Sequence, residues 1–246
     1  MKQSIKPKII GILGGMGPEA TVDLYSEIIR QTPIKQEQDH LPVIIFSNPK
    51  VPDRTKALVA GGEDPLPHLI YSAQVLEKAG ADFIIIPCNT AHHYLPQMHK
   101  EVSIPILNMI AETADFIKQH YPQEKQVGLL ATSGTIQVGI YSTTFKERGL
   151  EVVHPEESSQ QSLVMRAIYD IKAKKPLAPA KRRLKQAASE LISKGCYLIV
   201  MGCTEVPLGL NQKDMAGKSV QLIDPKVIIS RAAINLALGK SLPPPK

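Results

Sequence analysis

Two stretches decide the fold of this chain. They are Ala81-Asp82-Phe83-Ile84-Ile85-Ile86-Pro87-Cys88-Asn89-Thr90 and Cys196-Tyr197-Leu198-Ile199-Val200-Met201-Gly202-Cys203-Thr204-Glu205. Each is a short apolar run, rich in β-branched residues, that ends in a cysteine and follows a glycine, Gly80 or Gly195. Runs of this kind read as buried strands of a parallel sheet. Leu76 and Leu191, Gly80 and Gly195, and Cys88 and Cys203 share one offset of 115 residues. Working outward, Lys8-Ile9-Ile10-Gly11-Ile12-Leu13-Gly14 resembles Lys125-Gln126-Val127-Gly128-Leu129-Leu130-Ala131 at offset 117. Ile104-Pro105-Ile106-Leu107-Asn108 resembles Val220-Gln221-Leu222-Ile223-Asp224 at offset 116. Three matched pairs in one order indicate a duplicated domain, since solenoid units repeat at roughly 20–50 residues.

The pattern predicts alternating strands and helices. The first half reads as strand 8–13, helix 19–31, strand 43–47, a proline-rich loop through Thr55, helix 67–79, strand 82–87, helix 90–100 and strand 105–108. The second half reads as helix 111–120, strand 126–131, helix 139–148, strand 151–154, helices 160–173 and 179–194, and strand 197–202. Strand 221–223 and helix 226–238 close the fold, and Ser241 to Lys246 read as a frayed tail. This alternation predicts an α/β fold of two pseudo-symmetric domains, each a parallel sheet with helices on both faces. The first domain is expected at 1–109 plus 226–246, with Cys88, and the second at 110–225, with Cys203. In such sheets ligands bind beyond the carboxyl ends of the strands. Two such domains facing each other would enclose a cleft, with an active site between the two cysteines.

Composition narrows the class. The 246 residues suffice for two domains. Tryptophan is absent and aromatics make up only 4%, so the core must be aliphatic. The net charge of +6 comes with no nucleic-acid recognition motif or interleaved aromatics, so the lysines read as solvated faces. No apolar run approaches the roughly 20 residues of a membrane span. Three cysteines make no disulfide framework, and Cys196 reads as a small buried hydrophobe. The expectation is a soluble, cytoplasmic chain with reduced thiols.

The loops after the predicted strands hold the candidate chemistry. Gly14-Gly15-Met16-Gly17-Pro18 lacks the dinucleotide spacing and the phosphate-loop lysine, and reads as a tight turn. Cys88 stands just before a predicted helix, whose amides and dipole would favour a thiolate. His92 and His93 are adjacent on that helix and point apart, which does not suit a metal site. Arg54 lies in a strand-end loop and could form a forked pair with a carboxylate. Two thiols at equivalent strand ends suit a reaction that removes a proton from one face of a carbon and returns one to the other.

Ile12-Leu13-Gly14-Gly15-Met16-Gly17-Pro18-Glu19-Ala20-Thr21, Pro52-Asp53-Arg54-Thr55, Pro87-Cys88-Asn89-Thr90-Ala91-His92, Leu130-Ala131-Thr132-Ser133-Gly134-Thr135 and Gly202-Cys203-Thr204-Glu205-Val206 resemble the aspartate/glutamate racemase family, and its aspartate racemases most. The resemblance covers residues from about 8 to 238. It implies a cofactor-independent isomerase, usually a homodimer, acting on a small dicarboxylic amino acid. By resemblance, Cys88 and Cys203 are the acid/base pair. Arg54, with Asp53 and Thr55, meets a substrate carboxylate, while Asn89, Thr90 and Ala91 line the other side. Lys172 matches a lysine that faces the substrate, with Lys174 and Lys175 close behind it in sequence. Met16, Thr132, Thr135, Thr204 and Glu205 complete the expected substrate-binding set, and no metal is expected. Glutamate racemases typically carry His two residues after the second cysteine, and Glu205 there favours the aspartate branch. The alternatives are the same scaffold acting on glutamate, a broader amino-acid range, a hydantoin or maleate, or a binding protein without catalysis.

Overall fold

A computed structural model describes residues 7–239; the expected tail at Ser241 to Lys246 lies outside the described residues. The chain forms two compact units. One holds the described residues up to Pro52, Asp64–Met109 and the described residues from Lys226 onward; the other holds Asp53–Glu63 and Ile110–Pro225. The boundaries therefore differ from the sequence reading at one place, because Asp53–Glu63 belongs with the second unit.

In the first unit, β1 (Ile10–Gly14) pairs in parallel with β2 (Val43–Ser47) and β3 (Phe83–Ile85), giving the order β2-β1-β3. Its helices are α1 (Pro18–Gln31), α3 (Leu66–Lys78) and α12 (Pro225–Leu238). A short α4 (Leu95–Met98) extends the 3₁₀ turn Thr90–Tyr94. The helix expected over 90–100 is thus mostly 3₁₀, because Pro96 has no N–H to give an α-helical ladder. The strand expected at 105–108 contracts to one bridge, Ile84 to Ile106, flanked by Ile84 N–H to the Pro105 carbonyl and Leu107 N–H to the Ile84 carbonyl. Ile10, Ile12, Leu24, Ile28, Phe83, Ile85, Ile229 and Ile234 form its core, almost all aliphatic as the composition requires.

In the second unit, β4 (Gln126–Ala131), β5 (Glu151–Val153), β6 (Leu198–Gly202) and β7 (Gln221–Ile223) form an all-parallel sheet in the order β5-β4-β6-β7. This repeats the order of the first sheet, with β7 standing where the first unit has only the Ile106 bridge. Its helices are α2 (Arg54–Ala60), α5 (Met109–His120), α6 (Ser133–Gln137), α7 (Ile140–Lys146), α8 (Glu157–Ser159), α9 (Arg166–Lys172), α10 (Leu177–Ser193) and α11 (Val206–Gly209). A π-helical segment, Gln160–Met165, joins α8 to α9. Val164, Ile168, Leu184, Leu191, Ile199 and Met201 are buried around Cys196 and Cys203. No described helix is long and apolar enough to cross a membrane.

Candidate active site

Each sheet reverses its strand order beside its first strand, and crevices for ligands open at such switch points, outside the carboxyl ends of the strands. In the first unit that point lies at the ends of β1 and β3, where the Gly14–Pro18 turn and Cys88 stand. In the second it lies at the ends of β4 and β6, where Thr132–Thr135 and Cys203 stand. Each unit thus carries its own cysteine at its own switch point.

The glycine-rich turn after β1 is built by a close approach. Gly15 has φ +96°, and a Cβ there would come within 2.3 Å of the Asn48 backbone, so only glycine fits. The Gly15 N–H donates to Thr21 Oγ1 at 2.9 Å, which ties the turn to α1. Met16 in this turn is buried.

Cys88 lies beyond β3, which ends at Ile85; its N–H turns back to the Ile86 carbonyl at 2.9 Å. Asn89, Thr90 and Ala91 are all buried beside it, so Ala91 can offer little beyond its backbone. The ring of His92 bonds the Cys88 carbonyl through Nδ1 at 2.9 Å. A carbonyl only accepts, so Nδ1 carries the proton. Burial lowers the His92 pKa from 6.5 to about 4, which keeps the ring neutral.

The second strand end is held differently. The Cys203 thiol donates to Glu205 Oε2 at 2.9 Å, and Thr204 Oγ1 donates to the same oxygen at 3.3 Å. Both Cys203 and Glu205 are buried. Burial, joined by the Glu205 charge, raises the Cys203 pKa well above its usual value, while Lys172 pulls it down. Tyr141 lies fully buried under this end; burial, Asp224 and Cys203 push its phenol well up.

The segment Asp53–Glu63 brings Arg54 to the same unit as Cys203. Asp53 caps α2, accepting the Thr55 and Lys56 N–H groups at 2.8 and 3.1 Å. That is a capping task, and it occupies Oδ1 of Asp53. Thr55 is buried against α6; a Cβ on Gly134 would lie 2.9 Å from the Thr55 Cα. Thr132 caps α6 by accepting the Thr135 N–H at 3.2 Å, and the two hydroxyls bond each other at 3.0 Å. The helix expected at 139–148 is in fact preceded by α6, which this cap starts.

Lys172 ends α9 and is exposed, with Nζ 5.9 Å above the Tyr169 ring. Lys175 instead pairs with Asp170 at 2.9 Å, alongside Arg183 at 3.0 Å. The Tyr169 phenol, missed by the sequence reading, is raised by burial and then by Asp53, lowered by Lys172, raised by Cys203 and lowered by Arg54. It thus shares its surroundings with those four groups. Its signal was present: Tyr169 stands three residues before Lys172, so the two share a helix face. Among the described residues no three His, Cys, Asp or Glu side chains group to hold a metal ion.

The profile of the Asp/Glu/Hydantoin racemase family matches residues 13–233. The chain is 30% identical over 243 residues to the broad specificity amino-acid racemase RacX of Bacillus subtilis (strain 168), covering 94% of this chain and 99% of that protein. Its fold is similar to that of Picrophilus torridus aspartate racemase, with a TM-score of 0.79, 29% identity and 96% of each chain covered. It is also similar to an aspartate racemase homologue from Pyrococcus horikoshii OT3, with a TM-score of 0.74, 31% identity and 94% and 99% coverage.

Proposed function

The chain belongs to the Asp/Glu/Hydantoin racemase family, and we propose that it interconverts L- and D-aspartate without a cofactor, using Cys88 and Cys203 as a two-base pair. The observation that carries this reading is the repeated placement of a buried cysteine at the switch point of two sheets with one strand order. Binding alone needs neither thiol.

The chemistry follows from that pairing. One cysteine acts as thiolate and takes the α-proton, and its lone pair becomes the new S–H bond. The electrons of the broken C–H bond spread into the adjacent carboxylate. The other cysteine, as thiol, gives its proton to the opposite face, and the two sulfurs exchange protonation states. An α-proton of an amino-acid carboxylate is very weakly acidic, so donors and cations must stabilise the developing charge. Arg54 suits a forked pair with a carboxylate. Lys172 suits the second carboxylate, and its charge already acts on Cys203. Lys175 is held by Asp170, which favours Lys172 over that neighbour. Such a site works in the cytoplasm, where thiols stay reduced, and in a homodimer of the family's usual kind.

A second reading is a broader amino-acid range, favoured by the near full-length similarity to a broad specificity racemase. One experiment separates the two. Each of a panel of amino acids is incubated with the protein in D₂O, without added cofactor, and α-deuterium and chirality are followed. Aspartate alone exchanging and racemising supports the first reading, and exchange across many side chains supports the second. No exchange with any of them overturns both.

A further inference from the structure

Glu205 was expected to touch substrate, but its carboxylate is buried and both of its side-chain hydrogen bonds converge on Oε2. One of those bonds comes from the sulfur of Cys203. We propose that Glu205 is a positioning residue that keeps the proton on Cys203, so that the thiol partner of the two-cysteine pair rests at the second strand end. This rests on the two-cysteine reading and assigns its unequal starting states.

The argument is electrostatic. With Cys203 protonated, the Glu205 carboxylate has a donor at 2.9 Å; with Cys203 ionised, it faces a second negative charge at that distance. The other charged and donating groups around the sulfur act the opposite way. Lys172, from α9, favours the thiolate, as does the Glu205 backbone N–H. Tyr141, from α7, and Tyr169, from α9, lie close enough for the Cys203 charge to raise their own phenols, so both stay neutral and add no charge at the sulfur. Only the Glu205 carboxylate bonds the sulfur directly as an acceptor among these groups. Replacing it by an amide keeps the backbone N–H and Lys172 and removes the negative charge alone.

The first strand end lacks this device. Thr90 stands at the position equivalent to Glu205, and no carboxylate is bonded to Cys88 among the described residues. The asymmetry has a kinetic signature. The equilibrium constant of a racemisation is one, so kcat/KM must be equal in the two directions. The enantiomer that needs Cys203 as thiolate meets a scarce enzyme form, so it shows the higher KM and, in proportion, the higher kcat.

The test measures each thiol separately in the full chain. Iodoacetamide labelling is followed from pH 6 to 11 by peptide-resolved mass spectrometry, for the natural chain, Glu205→Gln and Glu205→Thr. In the natural chain the midpoint for Cys203 should lie well above that of an ordinary thiol, about 8.5. Both substitutions should lower it by a unit or more, so that at pH 8 Cys203 reacts about tenfold faster. The Cys88 profile should not move, and the KM values of the two enantiomers should converge. Glu205→Asp, which keeps the charge, should retain the high midpoint. Because Glu205→Thr installs the side chain of the other strand end, it tests the proposal even where Glu205→Gln fails to fold. An unchanged Cys203 midpoint overturns the proposal, and so does a raised one, which would make Glu205 a base that draws the thiol proton away. A lowered midpoint in a chain whose natural form racemises nothing would keep the thiol assignment and overturn the two-cysteine reading.

Discussion

Pro87 and Gly202 occupy the same position before their cysteines, and the two strands part company there. Proline has no N–H to add to a ladder, so β3 stops at Ile85 and Cys88 sits past a turn. Gly202 continues β6 to the residue before Cys203, and a Cβ there would come within 2.6 Å of Leu129. Beyond the cysteines the difference widens. The first is fixed through its carbonyl by a neutral histidine, the second through its sulfur by a carboxylate. The strand order and the thiols repeat, while the groups bonded at the two strand ends differ.

The strongest way to break this comparison is to remove each thiol. Cys88→Ala and Cys203→Ala should each lower kcat/KM by on the order of 10³-fold or more, with circular dichroism unchanged. Near-natural turnover in either folded variant would end the two-base reading.

Acid stability should separate the two ends next. His92 is neutral in the fold, with its pKa lowered from 6.5 to about 4. Between those values the unfolded chain binds more protons, so stability rises with pH across that window and is complete above 6.5. About 3 kcal/mol should be lost on descending through it. His92→Asn should flatten the slope in urea titrations between pH 4 and 6.5. The equivalent position in the second unit is Pro207, which has nothing to titrate. A slope left intact in the variant would assign it to other groups.

Arg54→Lys keeps the charge and loses the planar fork, and should lower kcat/KM for aspartate by about tenfold or more while the melting temperature holds. Unaltered kinetics would take Arg54 out of the site. Gly134→Ala should cost about 1–3 kcal/mol by pressing on Thr55, with part of the loss appearing in kcat/KM because Arg54 is its neighbour. A variant with natural stability and kinetics would show that α2 needs no close fit.

The smallest effect is expected at Cys196. Ala81 stands at the equivalent place in the first unit, equally buried. Cys196→Ala should leave turnover within about twofold and cost at most about 1 kcal/mol, the loss of one small buried group. A large loss of activity would give the third thiol a role that the comparison denies it.

Much of this arrangement could be read from residues. Periodicity placed β2, β4 and β7 at their observed limits, because β-branched runs bounded by polar residues have few alternatives. The helix α2 was missed although its signals were present: Asp53 as cap and Gly61, in the left-handed region, as stop. The prolines around it, Pro49, Pro52 and Pro65, read as loop and hid a seven-residue helix. Thr132-Ser133-Gly134-Thr135 fell between the expected strand 126–131 and helix 139–148, yet Gly134 sits within α6, where its lack of a side chain leaves room for Thr55. Candidate residues could be picked out by type and place, whereas their bonding partners could not. Nothing linear says that the Thr132 and Thr135 hydroxyls bond each other, or that Glu205 accepts a hydrogen bond from the Cys203 thiol.

The packing of Thr55 on Gly134 also bears on how the protein is made. Chains emerge from the ribosome amino end first, and domains tend to fold as units in that order. Here α2 emerges early, but the surface it rests on is not built until synthesis has passed Gly134. Arg54 must wait, tethered at both ends to strands that can already pair. A nascent chain stalled before β4 should therefore be cleaved by trypsin at Arg54 and Lys56 faster than a finished one.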